Sequence, residues 1–386
     1  MAKRGNSEGT ITKRKDGRWE AKITPPDGRR RSYYAKTRQE AAQKLLQAQK
    51  AVSQGLPLAG ERQSTGAFLE SWLKDAAAQR VRPKTLKGYA DMVRLHIAPE
   101  IGHVPLVRLT PQHVEKMLAG VLEKGASPRS VGHCKAVLRN ALNQAMRWSA
   151  IGRNVASLAR APHVPEREFH ALAPASARCV LEAVKGDRLE ALFTVALACG
   201  LRQSEALGLR WQDVAWEGGT LTIQRTLQRI DGQYHFLEPK TARSRRTIAL
   251  PMPVAASLRR HHARQLEERL NMPQAWEGEA WGGLVFADEL GRPLSGFHVS
   301  RRFKKLLQLA GLPPMRYHDL RHGAASLMAA QGVPARVAME ILGHAQISTT
   351  MNVYAHVAPE LQKEAAERMA VALKLFLANS YIGAGV

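Results

Sequence analysis

The chain has 386 residues and carries 57 Lys+Arg against 33 Asp+Glu, a formal net charge of +24 with a sequence pI near 10.4. A surplus that large calls for a polyanionic partner; nucleic acid is the usual one and an anionic membrane surface the other. The sequence offers no apolar run long enough to span a bilayer, and its basic N-terminus lacks the apolar stretch of a secretory signal, so a membrane-spanning or secreted protein is not expected.

The three cysteines, Cys134, Cys179 and Cys199, are too few and too scattered for a disulfide framework or a zinc site. They read as reduced core residues of an intracellular protein. Charge is uneven along the chain. Residues 1–50 hold 14 Lys/Arg against 5 Asp/Glu, residues 51–160 hold 16 against 7, and residues 161–386 hold 27 against 21. The first 160 residues therefore look like an electrostatic grip and the remainder like a more ordinary globular body.

In chain order, Gly9-Thr10-Ile11-Thr12 reads as a strand, Asp16-Gly17 as a hairpin turn, and Trp19 to Ile23 as a second strand. Pro25 to Gly28 is another turn and Arg29 to Tyr34 a third strand. Thr37 with Glu40 three residues on has capping-box spacing and opens a helix to about Val52. Gln54 to Gln63 reads as a linker. Residues 64–150 are helical by pattern. Phe68, Leu69, Trp72 and Leu73 form one apolar stripe. Thr85 opens a helix carrying Tyr89, Met92, Val93 and His96. Thr110-Pro111 and Ser127-Pro128 are cap-plus-proline starts, the second leading into Val131, Cys134, Val137, Leu138, Ala141, Leu142 and Ala145 at helical spacing. Four helices with a positive balance suit a DNA-gripping bundle, or a plain helical domain with a solvated basic face.

Residues 151–168, with Pro162 and Pro165, read as a second linker. A larger, mainly helical domain with one strand-rich insert follows. Leu189 to Cys199 is an apolar helix stopping at Gly200. Thr220 to Arg229 and Arg246 to Leu250 read as strands with Asp231-Gly232 as a turn between them, and helices return from about Pro253. The fold expected is mainly α with a small β component, in domains of 1–55, 64–157 and 165–386.

Several residues of the last domain could carry chemistry. Arg202 follows the apolar helix at Gly200-Leu201, where the amides of a helix start and a guanidinium fork could hold an anion, with Glu205 fixing the fork. The same pair could equally be surface dressing. Lys240, in Pro239-Lys240-Thr241-Ala242-Arg243-Ser244-Arg245-Arg246, lies at a turn into a strand, where it could protonate a leaving oxygen or be one more solvated charge. His318 and Arg321 share a helix face in Tyr-His-Asp-Leu-Arg-His (317–322), with Asp319 and His322 crowding the same turn. His344 closes Ile-Leu-Gly-His at a helix end. Tyr354 is the candidate nucleophile. A phenol titrates near 10, so it needs a base or strong positive potential beside it, which His344 and the two arginines could supply. Tyr317, next to His318, should point away from a phosphate held by His318 and Arg321.

In this order along a strongly basic chain, these residues resemble the tyrosine recombinases, the phage-integrase family. The family pattern Arg, Lys, His, Arg, His, Tyr falls on Arg202, Lys240, His318, Arg321, His344 and Tyr354, within GLRQSEALGLRWQDV, EPKTARSRRTIAL, YHDLRHGAAS and ILGHAQISTTMNVYAH. The resemblance implies an arm-type DNA-binding domain over 1–55 (three strands and a helix), a four-helix core-binding domain over 64–157, and a mixed α+β catalytic domain over 165–386. An N-terminal module of that kind resembles lambda-like and conjugative-transposon integrases more than Xer-type resolvases.

The chemistry so implied is two transesterifications. Tyr354 attacks a phosphodiester, leaving a 3′-phosphotyrosine and a free 5′-hydroxyl, and a 5′-hydroxyl from a partner duplex then attacks that link. Arg202 and Arg321 would stabilise the phosphate, His318 would act as base or phosphate donor, Lys240 as general acid and His344 as a phosphate hydrogen-bonder. No cofactor or metal is expected. The expected partners are double-stranded DNA at specific attachment sites and three further copies of the chain on that DNA. An excisionase and a host DNA-bending protein are further partners the family admits. The expected place is the cytoplasm, on the nucleoid. A C-terminal helix from Pro359 to about Leu377 could dock on a neighbouring copy or on its own domain. A type IB topoisomerase and a DNA-binding regulator with a dead catalytic domain are the alternatives.

Overall fold

The computed structural model describes residues 9–25, 28, 30–53, 63–163, 172–239, 242–355, 366, 369–371 and 373. The chain divides into two compact units, Met1–Glu166 and Arg167–Val386.

The first unit opens with β1 (Thr10–Lys13), β2 (Trp19–Ile23) and β3 (Arg31–Ala35), an antiparallel sheet in the order β1-β2-β3. The β1–β2 turn uses Gly17 at φ +83°, a conformation that glycine adopts without penalty, and the Asp16 carboxylate accepts from the Arg18 amide at 3.1 Å. Helix α1 (Arg38–Ser53) covers the sheet. Thr37 Oγ1 accepts from the Glu40 amide, and the reciprocal bond falls one residue earlier than expected, from the Lys36 amide to Glu40 Oε2. Ala21, Ile23, Ala35, Ala41, Leu45 and Ala48 form a small core of their own. The expected linker lies outside the described residues from 54 to 62.

The helical part begins with α2 (Thr65–Trp72), capped by Ser64, which runs through a π turn at Leu73–Ala77 into α3 (Ala78–Arg80). Helix α4 starts at Pro83 (Pro83–Met92), two residues before Thr85, because a proline fits the first helical turn, where its missing N–H costs nothing. A second π turn at Val93–Ile97 leads into α5 (Ala98–Ile101). Helices α6 (Pro111–Glu123) and α7 (Pro128–Arg147) start at the two Thr/Ser-Pro signals. All seven stripe residues of α7 are almost wholly buried and pack against Phe68, Leu69 and Trp72 of the same core. Residues 151–163 are not simply a linker. Asn154 caps a helical turn, α8 (Val155–Leu158), and buries Val155 and Ala156 in the bundle.

In the second unit α9 (Pro174–Val184), α10 (Glu190–Cys199), α12 (Met252–Asn271), α13 (Gly296–Leu309) and α14 (Tyr317–Ala330) enclose one core, with the five-residue α11 (Gln203–Leu207) between α10 and the strands. Cys134 and Cys199 are buried thiols, but Cys179 is exposed. It falls between the inward stripe of α9, Ala177, Val180 and Val184. The predicted strand from Thr220 to Arg229 is two strands, β5 (Thr220–Ile223) and β6 (Thr226–Ile230). The Asp231-Gly232 turn joins β6 to β7 (Gln233–Leu237), a strand the periodicity did not reveal. β8 (Arg246–Ala249) pairs instead with β5, in a sheet of order β4-β5-β8 that begins at β4 (Val214–Ala215). Helices α15 (Ala335–Leu342) and α16 (Ile347–Ala355) close the unit. Of the predicted helix from Pro359, only residues 366, 369–371 and 373 are described, and they are helical. No helix of the described residues is long and apolar enough to cross a membrane.

Candidate active site

The site is organised by the C-terminus of α15. The last carbonyls of a helix lack intrahelical partners and carry the negative end of its dipole. Here two are satisfied by the chain itself. Gly343, left-handed at φ +65°, donates its amide to Glu340 O, and the His344 amide donates to Met339 O, which together make a Schellman turn. The next three carbonyls each accept from a different arginine. Arg246 Nε donates to Ile341 O at 2.6 Å, Arg321 Nη2 to Leu342 O at 2.6 Å, and Arg202 Nη2 to Gly343 O at 3.1 Å. Three guanidiniums from β8, α14 and the start of α11 thus meet at one helix end.

Gly200 makes the meeting possible. It ends α10 at φ +62°, and its carbonyl accepts from Arg321 Nη1 at 2.5 Å. A Cβ there would lie 2.2 Å from the Leu342 side chain and 3.3 Å from Ala324 Cβ. Arg202 follows two residues later, its side chain 35% exposed. Of the amides at this helix start, that of Arg202 itself is taken: Arg202 N donates to Glu205 Oε2 at 3.1 Å.

Glu205, 1% exposed, is the counter-charge. Its Oε1 accepts from Arg202 Nη1 at 2.5 Å and its Oε2 from Arg246 Nη2 at 3.1 Å. Burial alone would raise its carboxyl, but Arg246 and Arg202 hold it below the usual range. One carboxylate among three guanidiniums leaves the cluster cationic. Arg321, 3% exposed, shows the strain: burial first, then Arg202 and Arg246, push it down to about 9. An anion beside it would relieve that cost.

His344 is 9% exposed, with Nδ1 hydrogen-bonded to the buried Thr350 Oγ1 at 2.8 Å. Burial, then Arg321 and Arg202, lower its imidazole to about 3. His318 lies one turn before Arg321 on α14 but is exposed where Arg321 is buried. Its ring meets His322 edge-on at 4.8 Å. Partial desolvation, then His322 and Arg321, lower it to about 4. Both imidazoles are therefore neutral near pH 7.

Tyr354, on α16, gives its phenolic proton to Val333 O at 2.9 Å, and burial raises it above the ordinary phenol value. That hydroxyl is engaged in the turn between α14 and α15 and not with the guanidiniums. Tyr317 is 4% exposed, packs on Phe193 with centroids 6.4 Å apart, and its hydroxyl has no hydrogen-bond partner among the described residues. Burial, then Glu205, push its phenol upward, so it has neither access nor activation. Lys240 lies outside the described residues.

Arg246 was missed by reading the sequence. Its signal was present: it is two residues before Ile248, which is 5% exposed, so strand alternation turns it inward. Thr350 and Val333 had no signal at all, because a serviceable hydroxyl and a backbone carbonyl are everywhere in a chain.

Residues 167–360 match the phage integrase family, and residues 66–121 match the family's N-terminal SAM-like domain. An integrase of Streptomyces ambofaciens is 30% identical over 332 residues, 83% of each chain. A XerC-like tyrosine recombinase of Caldanaerobacter subterraneus subsp. tengcongensis is 28% identical over 356 residues, 88% of this chain and 91% of the relative. Among solved structures, the Tn1549 transposon integrase in complex with transposon right end DNA superposes with a TM-score of 0.68 at 21% identity, over 80% of this chain and 99% of that one.

Proposed function

Because the chain belongs to the phage integrase family, the tyrosine-type site-specific recombinases of phages and mobile elements, we propose that it integrates or excises such an element by cutting and rejoining double-stranded DNA through a 3′-phosphotyrosine intermediate. The observation that carries this reading is the cationic hole at the end of α15, with Arg202, Arg246 and Arg321 around the single carboxylate of Glu205 and His344 beside them. Charge building on the non-bridging oxygens of a phosphodiester in attack is stabilised by donors already fixed in place.

In this reading Arg202 and Arg321 hold the scissile phosphate and His344 hydrogen-bonds it. Tyr354 leaves Val333 O, loses its proton to His318 or to solvent, and attacks phosphorus. Lys240, between β7 and β8 in the chain, gives a proton to the departing 5′-oxygen. The 5′-hydroxyl of the partner strand then attacks the phosphotyrosine and restores the phenol. One phosphodiester is exchanged for another at each step, so the balance needs no nucleoside triphosphate. Four strands are exchanged, which calls for four copies of the chain. Residues 1–55 would bind arm-type sites, 64–157 the core site, and 165–386 would carry the chemistry. An excisionase and a host bending protein are further partners that this reading admits.

The test is a plasmid carrying two candidate attachment sites, taken from the direct repeats flanking the element. Recombinant circles are expected. Relaxed parental circles alone would mean a topoisomerase, and unchanged plasmid with retarded mobility would mean a DNA-binding regulator.

A further inference from the structure

Arg246 differs from the other two arginines of the cluster. All three of its nitrogens are committed to protein acceptors: Nε to Ile341 O at 2.6 Å, Nη1 to Ser244 O at 3.1 Å and Nη2 to Glu205 Oε2 at 3.1 Å. Its side chain is 6% exposed, against 35% for Arg202. With three of its five N–H groups so used and the side chain almost wholly buried, Arg246 is placed to act through its neighbours rather than as an open fork for a phosphate. Three residues earlier, the exposed Arg243 donates Nη1 to Ala345 O at 3.0 Å. Two cations of one short stretch thus grip Ile341–Ala345 at both ends, with His344 between the grips.

The glycine between those grips fits them. At Gly343 a Cβ would stand 2.9 Å from Arg246 Nη1 and 3.2 Å from Arg243 O. The backbone comes this close because no side chain intervenes. Lys240 lies three residues before Arg243 in the chain, so the stretch that holds the histidine segment is continuous with the one that carries the proposed acid.

We infer that Arg246 is a positioning residue for strand cleavage: with Arg243 it staples the Arg243–Arg246 stretch to Ile341–Ala345, so that Arg202, Arg321 and His344 meet the phosphate as one unit. The inference rests on the recombinase reading. Through Glu205 it fixes the Arg202 fork, and through the α15 carbonyls it fixes the row that Arg321 also holds. A misplacement of about 1 Å in such a set costs on the order of 100-fold in rate.

The test uses the full-length chain and a nicked duplex carrying one half of the flanking repeat, on which cleavage traps a covalent protein–DNA adduct. Rate at saturating protein, DNA affinity and melting temperature are read for wild type, Arg246→Met, Arg246→Lys and Arg243→Met. The expected result is a fall of roughly 100-fold in the saturating rate for Arg246→Met, with affinity within about 3-fold of wild type. Lysine, a point charge that cannot reproduce the fork, should recover only part of the loss. Arg243→Met, exposed and outside the buried cluster, should slow cleavage by roughly 10-fold with its melting temperature unchanged, and it keeps the test open if Arg246→Met does not fold. Saturating rates near wild type in a folded Arg246→Met, a loss confined to affinity, or an unaffected Arg243→Met would each overturn the inference. Absence of an adduct from wild type itself would instead strike the recombinase reading.

Discussion

The hydroxyl of Tyr354 donates to the carbonyl oxygen of Val333 at 2.9 Å. The phenol proposed as nucleophile is therefore held on the turn between α14 and α15 in the DNA-free chain, and must give up that bond before it can attack. Replacing it with phenylalanine removes one partly buried hydrogen bond and nothing else, which costs about 1 kcal/mol. Chemical denaturation of Tyr354→Phe should show a loss of that size. A loss above about 3 kcal/mol would mean that the tyrosine is chiefly a structural residue.

Glu205 is the only carboxylate among the described partners of Arg202 and Arg246, and it is buried. Removing one side of a buried charge cluster leaves the other side uncompensated, which costs about 3–5 kcal/mol. Glu205→Gln should lower the melting temperature of the second unit sharply and abolish cleavage. A variant that melts within a degree of wild type would show that the cluster is far more solvated than its geometry indicates.

Gly200 carries two separate demands, a left-handed backbone and contact with Leu342. Gly283 has the first demand only, with φ +68° and open space where a Cβ would stand. Alanine at Gly283 should cost about 1–2 kcal/mol, the left-handed penalty alone. Alanine at Gly200 should cost more, because Leu342 must move and takes with it a carbonyl that Arg321 uses. Equal losses at the two positions would show that the α10–α15 approach is loose.

Two buried histidines make the fold sensitive to acid. Burial is the main cause in both, lowering His344 to about 3 and His261 to about 4, from an ordinary value near 6.5. At His261, Nε2 faces Val285 O at 2.8 Å and so carries the proton, while Nδ1 has no partner among the described residues. Below pH 6.5 the unfolded chain takes up protons that the folded chain refuses, so this stability is complete above 6.5 and lost as pH falls towards 4 for His261 and towards 3 for His344. Each histidine contributes about 1.4 kcal/mol per pH unit in that window. Melting temperature should fall steeply from pH 6.5 to 5.0, and a flat profile would contradict these environments.

Much of this was legible in the sequence because it rests on local pattern. The α7 stripe, the Thr110 and Ser127 caps and the Gly200 stop are each written within a few residues. The grouping of the last domain's charged residues came from order and resemblance, and the structure does bring Arg202, Arg321 and His344 to one helix end. Strand pairing was not legible. β8 skips β7 and β6 to pair with β5, a long-range choice that periodicity does not encode. Arg246 sat inside a basic run that looked like solvated charge, and its alternation with Ile248 told its face only once β8 was known to be a strand paired with β5. The resting partner of Tyr354 is a backbone oxygen, which no side-chain pattern announces.

The central claim is that Tyr354 takes hold of the broken strand, and trapping the covalent intermediate tests it most directly. Wild type and Tyr317→Phe, incubated with the nicked duplex, should each yield a protein–DNA adduct whose only DNA-bearing peptide contains residue 354, and Tyr354→Phe should yield none. An adduct that persists in Tyr354→Phe, or one that maps to Tyr317, would contradict the account.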